Sequence, residues 1–313
     1  MVFMLMDNVR ADQPIVIAHR GASGYLPEHT LAAKAMAYAF GADYLEQDVV
    51  LTADDQPIVL HDIHLDTVTN VAEVYPHRKR SDGRFYAIDF TLHEVRQLRV
   101  FERIDLQTGQ AVFARRFPTR TSKFEIPTLA DEIEFVQGLN KSTGRQVGIY
   151  PEIKQPAFHR QSGKDISHIV IETLSKYGYV DHTDLAFLQC FDADECQRIR
   201  RDLACRLKLI QLISEDDWSP AVEKEALRRI ATYADGVGPP LSLVLDDQGR
   251  CTSFAHEARG DRLLVHPYTF RIDALPRPFV DAHHLMQALF DDARVDGLFT
   301  DFPDVTKKYL TDR

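Results

Sequence analysis

Long hydrophobic runs are missing from this 313-residue chain: no apolar stretch approaches the roughly 18 to 20 residues needed to cross a bilayer, so stable membrane insertion is not expected. Positive charge is also short. The 37 Lys and Arg side chains face 47 Asp and Glu, a formal net charge of −10. That balance argues against nonspecific binding to nucleic acid or anionic lipid, so any bound phosphate must be met by local charges. Cysteine is scarce too. Cys190, Cys196, Cys205 and Cys251 are scattered and form no C-x-x-C pair, which argues against a disulfide framework or a zinc site and leaves small buried thiols as the expectation. Internal repeats and low-complexity linkers are lacking. The opening MVFMLMDNVRADQ has no basic residue ahead of its apolar ones and is interrupted at Asp7, so no export signal is expected there.

What is present is an ordinary globular composition, 44% hydrophobic and 27% charged, at a length that fits one large α/β domain or two modest ones. Short runs rich in Val, Ile, Leu and Phe alternate with stretches of helical spacing. The strands expected are Ile15–Ala18, Tyr44–Leu51, Gly148–Ile153, Leu185–Cys190, Leu207–Ile213, Gly236–Gly238, Leu263–His266 and Gly297–Thr300. Helices are expected at Thr30–Phe40, Leu129–Leu139, Ile166–Tyr177, Ala193–Leu203, Val222–Ala234 and Leu285–Arg294, with Asp192 or Asp194 capping the fourth and Gly41 and Gly178 just past helix ends. Eight strands with helices between them predict an α/β fold, a (β/α)₈ TIM barrel, because closure removes every sheet edge. Residues 63–126 break the alternation and read as an insertion in the loop region after the second strand, within a barrel spanning 14–310. The basic stretch Arg78 to Arg84 reads as a solvated face.

Chemistry-bearing residues fall at strand ends. The first strand runs into His19-Arg20-Gly21, a titratable pair where the chain must turn. Arg20 offers a planar fork of donors suited to phosphate oxygens, and His19 is either a proton carrier or a hydrogen-bonded core histidine. In the second strand Glu46 and Asp48, two apart, share a face, roughly 7 Å from each other along the chain. Inside a barrel they resist joint ionisation unless a cation lies between them. Glu152 completes a carboxylate triad at the end of the third strand, and an all-oxygen set suits Ca²⁺ or Mg²⁺ better than zinc. Lys154, on the same face as Glu152, would neutralise bound phosphate. His61, preceding Asp62, supplies a second proton carrier whose tautomer the aspartate could fix.

Together HRGASGYLPEHT, GADYLEQDVVLT, IVLHD, GIYPEIK, LQCFDAD, VHPYT and DGLFTDFP resemble the runs of the glycerophosphodiester phosphodiesterases, in particular the long bacterial glycerol-metabolising type with an insertion. The resemblance extends from Ile15 to Leu310. It implies a (β/α)₈ barrel, one divalent cation (Ca²⁺, or Mg²⁺) on Glu46, Asp48 and Glu152, acid–base work by His19 and His61, and phosphate contacts from Arg20 and Lys154. The reaction implied is hydrolysis of small-molecule glycerophosphodiesters to glycerol 3-phosphate and an alcohol; a lysophospholipase D activity and a non-catalytic binding protein are the alternatives. Phe191, His266, Tyr268 and Phe270 are expected to wall the pocket. Glu28 is expected to hold the first loop through backbone hydrogen bonds, Asp301 to be structural, and His283 and His284 to lie on the surface. Relatives of this type are periplasmic, whereas Met1 as a native start would imply the cytoplasm.

Overall fold

The computed structural model describes residues 13–218 and 223–312. Nine strands form one sheet: β1 (Ile15–Ala18), β2 (Tyr44–Leu51), β3 (Pro57–Val59), β4 (Gly148–Ile153), β5 (Phe187–Cys190), β6 (Lys208–Leu212), β7 (Gly236–Gly238), β8 (Leu264–Val265) and β9 (Gly297–Thr300). Eight of them run parallel in the order β8-β7-β6-β5-β4-β2-β1-β9. The ring closes where Asp296 and Phe299 donate to the carbonyls of Val265 and Pro267, and Phe270 donates back to Phe299. The architecture is a (β/α)₈ barrel. β3 lies outside the ring, antiparallel to the end of β2, with Val49 opposite Val59.

Alternation along the strands sorts the side chains into an outer and an inner set. Leu45, Val49, Ile149, Ile153, Leu188, Leu209 and Val237 face the surrounding helices in the main core. Ile17, Tyr44, Tyr150, Phe187, Ile210 and Phe299 fill the barrel interior instead. Bulky rings plug the lower barrel, so the next inward residues along each strand, Glu46, Glu152 and Gln189, sit at a floor and not in a channel.

The helices follow their end signals. Thr30 caps Leu31–Ala39, its side chain accepting from the Ala33 N–H, and Asp192 caps Ala193–Arg201 by accepting from Glu195. Helix Leu129–Thr143 starts with a reciprocal capping box between Thr128 and Asp131 and ends on left-handed Gly144. Helix Glu223–Ile230 is shorter than expected, and Val222 lies outside the described residues. The helix expected over 285–294 starts earlier, at Ala282, and turns into a π-helical segment over Ala288–Asp292. Of the four cysteines, Cys190, Cys196 and Cys205 are buried but Cys251 is exposed, where a buried thiol was expected. No described helix is long and apolar enough to cross a membrane.

Residues 60–126 pack around an apolar cluster of their own, built from Leu65, Val68, Val71, Phe85, Phe90, Val95, Leu98 and Ile126 against Val50 and Ile58 of β2 and β3. Arg78 and Arg80 lie on its outer face, ion-paired with Glu94 and Asp89. Exposed pairs of this kind contribute little to stability.

Candidate active site

Arg20 turns the chain at the top of β1 with φ +58, and its backbone N–H donates to Glu46 Oε2 at 2.6 Å. The next residue must be glycine: a Cβ on Gly21, at φ +87, would stand 2.8 Å from the backbone carbon of Ala33. This tight turn seats His19 and Arg20 at the C-terminal rim of the barrel. Parallel register then sets Asp48 beside Glu152, and Glu152 beside Gln189. A cavity of about 180 Å³ at this mouth is lined by His19, Arg20, Glu46, Asp48, His61, Glu152, Lys154, Phe191, Tyr268 and Arg271, among others. A larger groove of about 600 Å³, with Met286, Val305 and Tyr309 in its walls, lies on the last helices and includes none of these residues.

The three carboxylates here differ in how readily they ionise. Burial, and then Asp48, push Glu46 well above its usual range, against Lys34 and Arg20. Burial, with Asp48 adding to it against Lys154, pushes Glu152 up to about 8. Asp48 is held well below its usual range: burial opposes this, but Lys154, His61 and His29 outweigh it. Its carboxylate accepts from His29 Nε2 at 2.8 Å, with Arg20 Nε and Lys154 Nζ each 3.4 Å away. Ligand atoms of His29, Glu46 and Asp48 lie within 4.8 Å of one another, whereas Glu152 is turned toward Lys154, 2.7 Å from its ammonium. Three buried acids, two of which resist ionisation, are a donor set that a hard divalent cation fits, since its charge would release the repulsion.

Both histidines are held in the same way. His19 Nδ1 donates to Asp301 Oδ1 and His61 Nδ1 to Asp62 Oδ1, each at 2.6 Å. Asp301 stays ionised despite burial because His19, Arg271 and Arg116 surround it, and Asp62 likewise through His61 and Arg103. A carboxylate can only accept, so the ring proton sits on Nδ1 and Nε2 is left with its lone pair. Burial first, and Arg20 second, lower both histidines to about 4 against the pull of their aspartates, so both rest as neutral bases.

All nine residues expected at the site meet at this mouth, Phe191 half-open at its rim, 5.9 Å from the Tyr268 ring. Four expectations need correction. His266 and Phe270 do not wall the pocket: both are buried, His266 bonded to the Tyr150 hydroxyl inside the barrel. Asp301 is not merely structural, since it holds His19. Glu28 binds side chains instead of backbone, accepting from Arg20 and Arg103. His283 and His284 are exposed, as expected. His29, Gln189, Arg271, Arg103 and Arg116 were not anticipated. The one sequence signal among them was for Arg116, in FARRF at 113–117, where aromatic residues flank a pair of arginines.

Fold and mouth together are those of a (β/α)₈-barrel enzyme. The chain belongs to the glycerophosphoryl diester phosphodiesterase family, which it matches over residues 19–305. It is 45% identical to a glycerophosphodiester phosphodiesterase of Haemophilus influenzae, over 95% of this chain and 89% of that one. Its identity to one from Treponema pallidum is 37%, over 96% and 92%. Among solved structures it resembles an Oleispira antarctica phosphodiesterase in complex with the product sn-glycerol-3-phosphate (TM-score 0.67, 21% identity, 96% and 98% covered). A glycerophosphodiester phosphodiesterase of Agrobacterium tumefaciens is similar as well (TM-score 0.64, 19% identity, 94% and 99% covered).

Proposed function

We propose that this protein hydrolyses water-soluble glycerophosphodiesters such as glycerophosphocholine to glycerol 3-phosphate and an alcohol, with His19 and His61 as the proton carriers. The observation that carries the reading is the pair of neutral histidines, each pinned through Nδ1 to an ionised aspartate, on one small cavity with a carboxylate cluster. In the first step one histidine Nε2 takes the proton of the vicinal glycerol hydroxyl as its oxygen bonds to phosphorus. The other histidine, neutral at rest, takes up a proton from solvent at Nε2 as the anionic diester binds, and gives it to the departing alcohol oxygen as that bond breaks. Water then opens the cyclic phosphate with the two roles exchanged. Arg20 and Lys154 meet the negative charge that builds on the phosphoryl oxygens.

Glu46, Asp48 and Glu152 are the residues that would hold Ca²⁺ or Mg²⁺, which when bound supplies Lewis-acid stabilisation of a phosphoryl oxygen. Phe191 and Tyr268 are placed to wall the alcohol side. The cavity volume favours a compact diester over an acylated one: about 180 Å³ lies below the ~300–1,000 Å³ of sites that enclose larger ligands. We read residues 14–310 as one barrel, with 63–126 inserted in it.

The test is turnover of glycerophosphocholine by His19→Ala and His61→Ala, followed as released glycerol 3-phosphate. Each is expected to lose about 10²- to 10⁴-fold in kcat. Wild-type turnover by either variant would exclude the two-histidine scheme, and equal rates on diesters without a vicinal hydroxyl would exclude the cyclic step.

A further inference from the structure

We propose that Arg103 and Arg116, both supplied by the segment between β3 and β4, are positioning residues for the reaction: each braces the aspartate that holds one of the two histidines.

The two arrangements follow the same pattern. Arg103 Nη1 donates to Asp62 Oδ2 at 2.6 Å, and the other oxygen of Asp62 accepts from His61. Arg116 Nη2 donates to Asp301 Oδ2 at 2.7 Å, and the other oxygen of Asp301 accepts from His19. Each carboxylate therefore has one oxygen on an imidazole and one on a guanidinium, and it cannot rotate without breaking both bonds.

The guanidiniums are themselves fixed by a second carboxylate. Arg103 donates through Nε and Nη2 to Glu28 at 3.0 and 2.6 Å, and Glu28 also accepts from Arg20 at 3.1 Å. Arg116 donates through Nε and Nη2 to Asp273 at 2.9 and 3.1 Å, and its side chain is only 5% exposed, stacked 3.6 Å from the Phe113 ring centroid. Paired, planar contacts of this kind set direction as well as charge, which lysine could not reproduce. Neither arginine lines the cavity, so substrate binding does not account for them.

A histidine pair that exchanges acid and base roles between two half-reactions needs both rings in the same tautomer with Nε2 toward the substrate. Two braces of the same kind meet that need. Asp62 follows His61 directly in the chain, whereas Asp301, just past β9, must be aimed at His19 on the end of the neighbouring strand β1. Arg116, with Arg271 adding a 2.8 Å bond to the same oxygen, does the aiming.

This inference rests on His19 and His61 being the proton carriers, and the experiment separates the two claims. Steady-state turnover of glycerophosphocholine at saturating Ca²⁺ is compared for wild type, Arg103→Ala, Arg116→Ala, Asp62→Asn, Asp301→Asn, His19→Ala and His61→Ala, with and without millimolar guanidinium ion. The arginine variants are expected to lose about 10- to 100-fold in kcat, the range for residues that act through a partner, with KM within about threefold. Added guanidinium should restore part of that loss in the arginine variants but none in the histidine variants. Wild-type kcat in both arginine variants, a loss confined to KM, or no rescue in a folded variant overturns the proposal. Where an alanine variant does not fold, Arg103→Lys and Arg116→Lys decide: a fall in kcat of about tenfold or more at constant KM supports the brace, because lysine keeps the charge without the paired planar contacts, and unchanged kcat overturns it. If the histidine variants keep wild-type turnover, the proton-carrier assignment itself has failed; if they are inactive while the arginine variants are not, only the brace has.

Discussion

Lys154 Nζ lies 2.7 Å from Oε1 of Glu152, two residues earlier on the same strand edge, and 3.4 Å from Asp48 on the neighbouring strand. The ammonium thus stands where it neutralises two acids of the cluster and also faces the cavity. Against burial, which disfavours its charge, these two carboxylates keep it protonated far above neutral pH. Lys154→Met should therefore have two opposed effects. Affinity for Ca²⁺ should rise, because a competing cation is gone, while kcat/KM on glycerophosphocholine should fall about 10²- to 10³-fold through loss of charge on the phosphoryl group. Calcium titration of activity in the two proteins measures both, and unchanged affinity together with unchanged rate would show the lysine to be a bystander.

Removal of the metal should silence the enzyme and soften the fold. With Glu46 and Glu152 both pushed up by burial and neighbouring acids, a bound cation relieves repulsion that the protein otherwise bears. Chelation is expected to abolish turnover and Ca²⁺ or Mg²⁺ to restore it. At about 100 times its dissociation constant the ion would add about 2.7 kcal/mol of stability, visible as a rise in Tm of several degrees. Glu46→Gln should need more metal for both effects. Full activity in a preparation shown by elemental analysis to be metal-free would rule out this role.

A pH effect on stability should come from Glu102. Its side chain is buried, Oε2 has no hydrogen-bond partner, and burial followed by Glu28 pushes its carboxyl up to about 8 against Arg116 and Arg103. Because the folded state holds this proton more tightly than the unfolded chain, the stabilisation is fully present below about pH 4.5 and is lost as pH rises toward 8. Glu102→Gln keeps the neutral shape without the titration. The variant should match wild type in Tm near pH 5 and exceed it near pH 8. A constant difference across that window would place the charge elsewhere.

Phe191 is exposed at the cavity rim and packs edge-on against Tyr268, whose hydroxyl donates to the Ile213 carbonyl at 2.7 Å. Phe191→Ala should raise KM for glycerophosphocholine about three- to tenfold and leave kcat within about twofold, since an apolar wall contributes binding and no proton. A kcat effect larger than the KM effect would give the ring a part in the chemistry.

The barrel was legible in the sequence because buried parallel strands read as short apolar runs, and the strand ends carried their polar residues at visible breaks. Glu46 and Asp48 stood out through spacing alone. β3 did not: three residues, Pro57 to Val59, are too few for a period to show. Helices Pro156–Gln161 and Leu241–Val244 were missed for the same reason. Glu28 was misjudged because its partner, Arg103, lies 75 residues away, and nothing local marks such a pair. Arg103 and Arg116 sit in a charged stretch without periodicity, which reads as solvated surface until the carboxylates they meet are placed in space. His29 was masked by its neighbour in PEHT, since a buried imidazole on Asp48 has no sequence signature apart from the fold.

The separate apolar cluster of residues 60–126 has a consequence for how this enzyme would fail. Its arginines reach the barrel rim, yet the rings that keep it folded, Phe85 and Phe90 among them, belong to a different core from the one that keeps the barrel closed. Partial opening of this region alone would release both aspartates while the strands remain paired. On warming, catalytic output would then vanish ahead of the main melting transition, and cooling would bring it back.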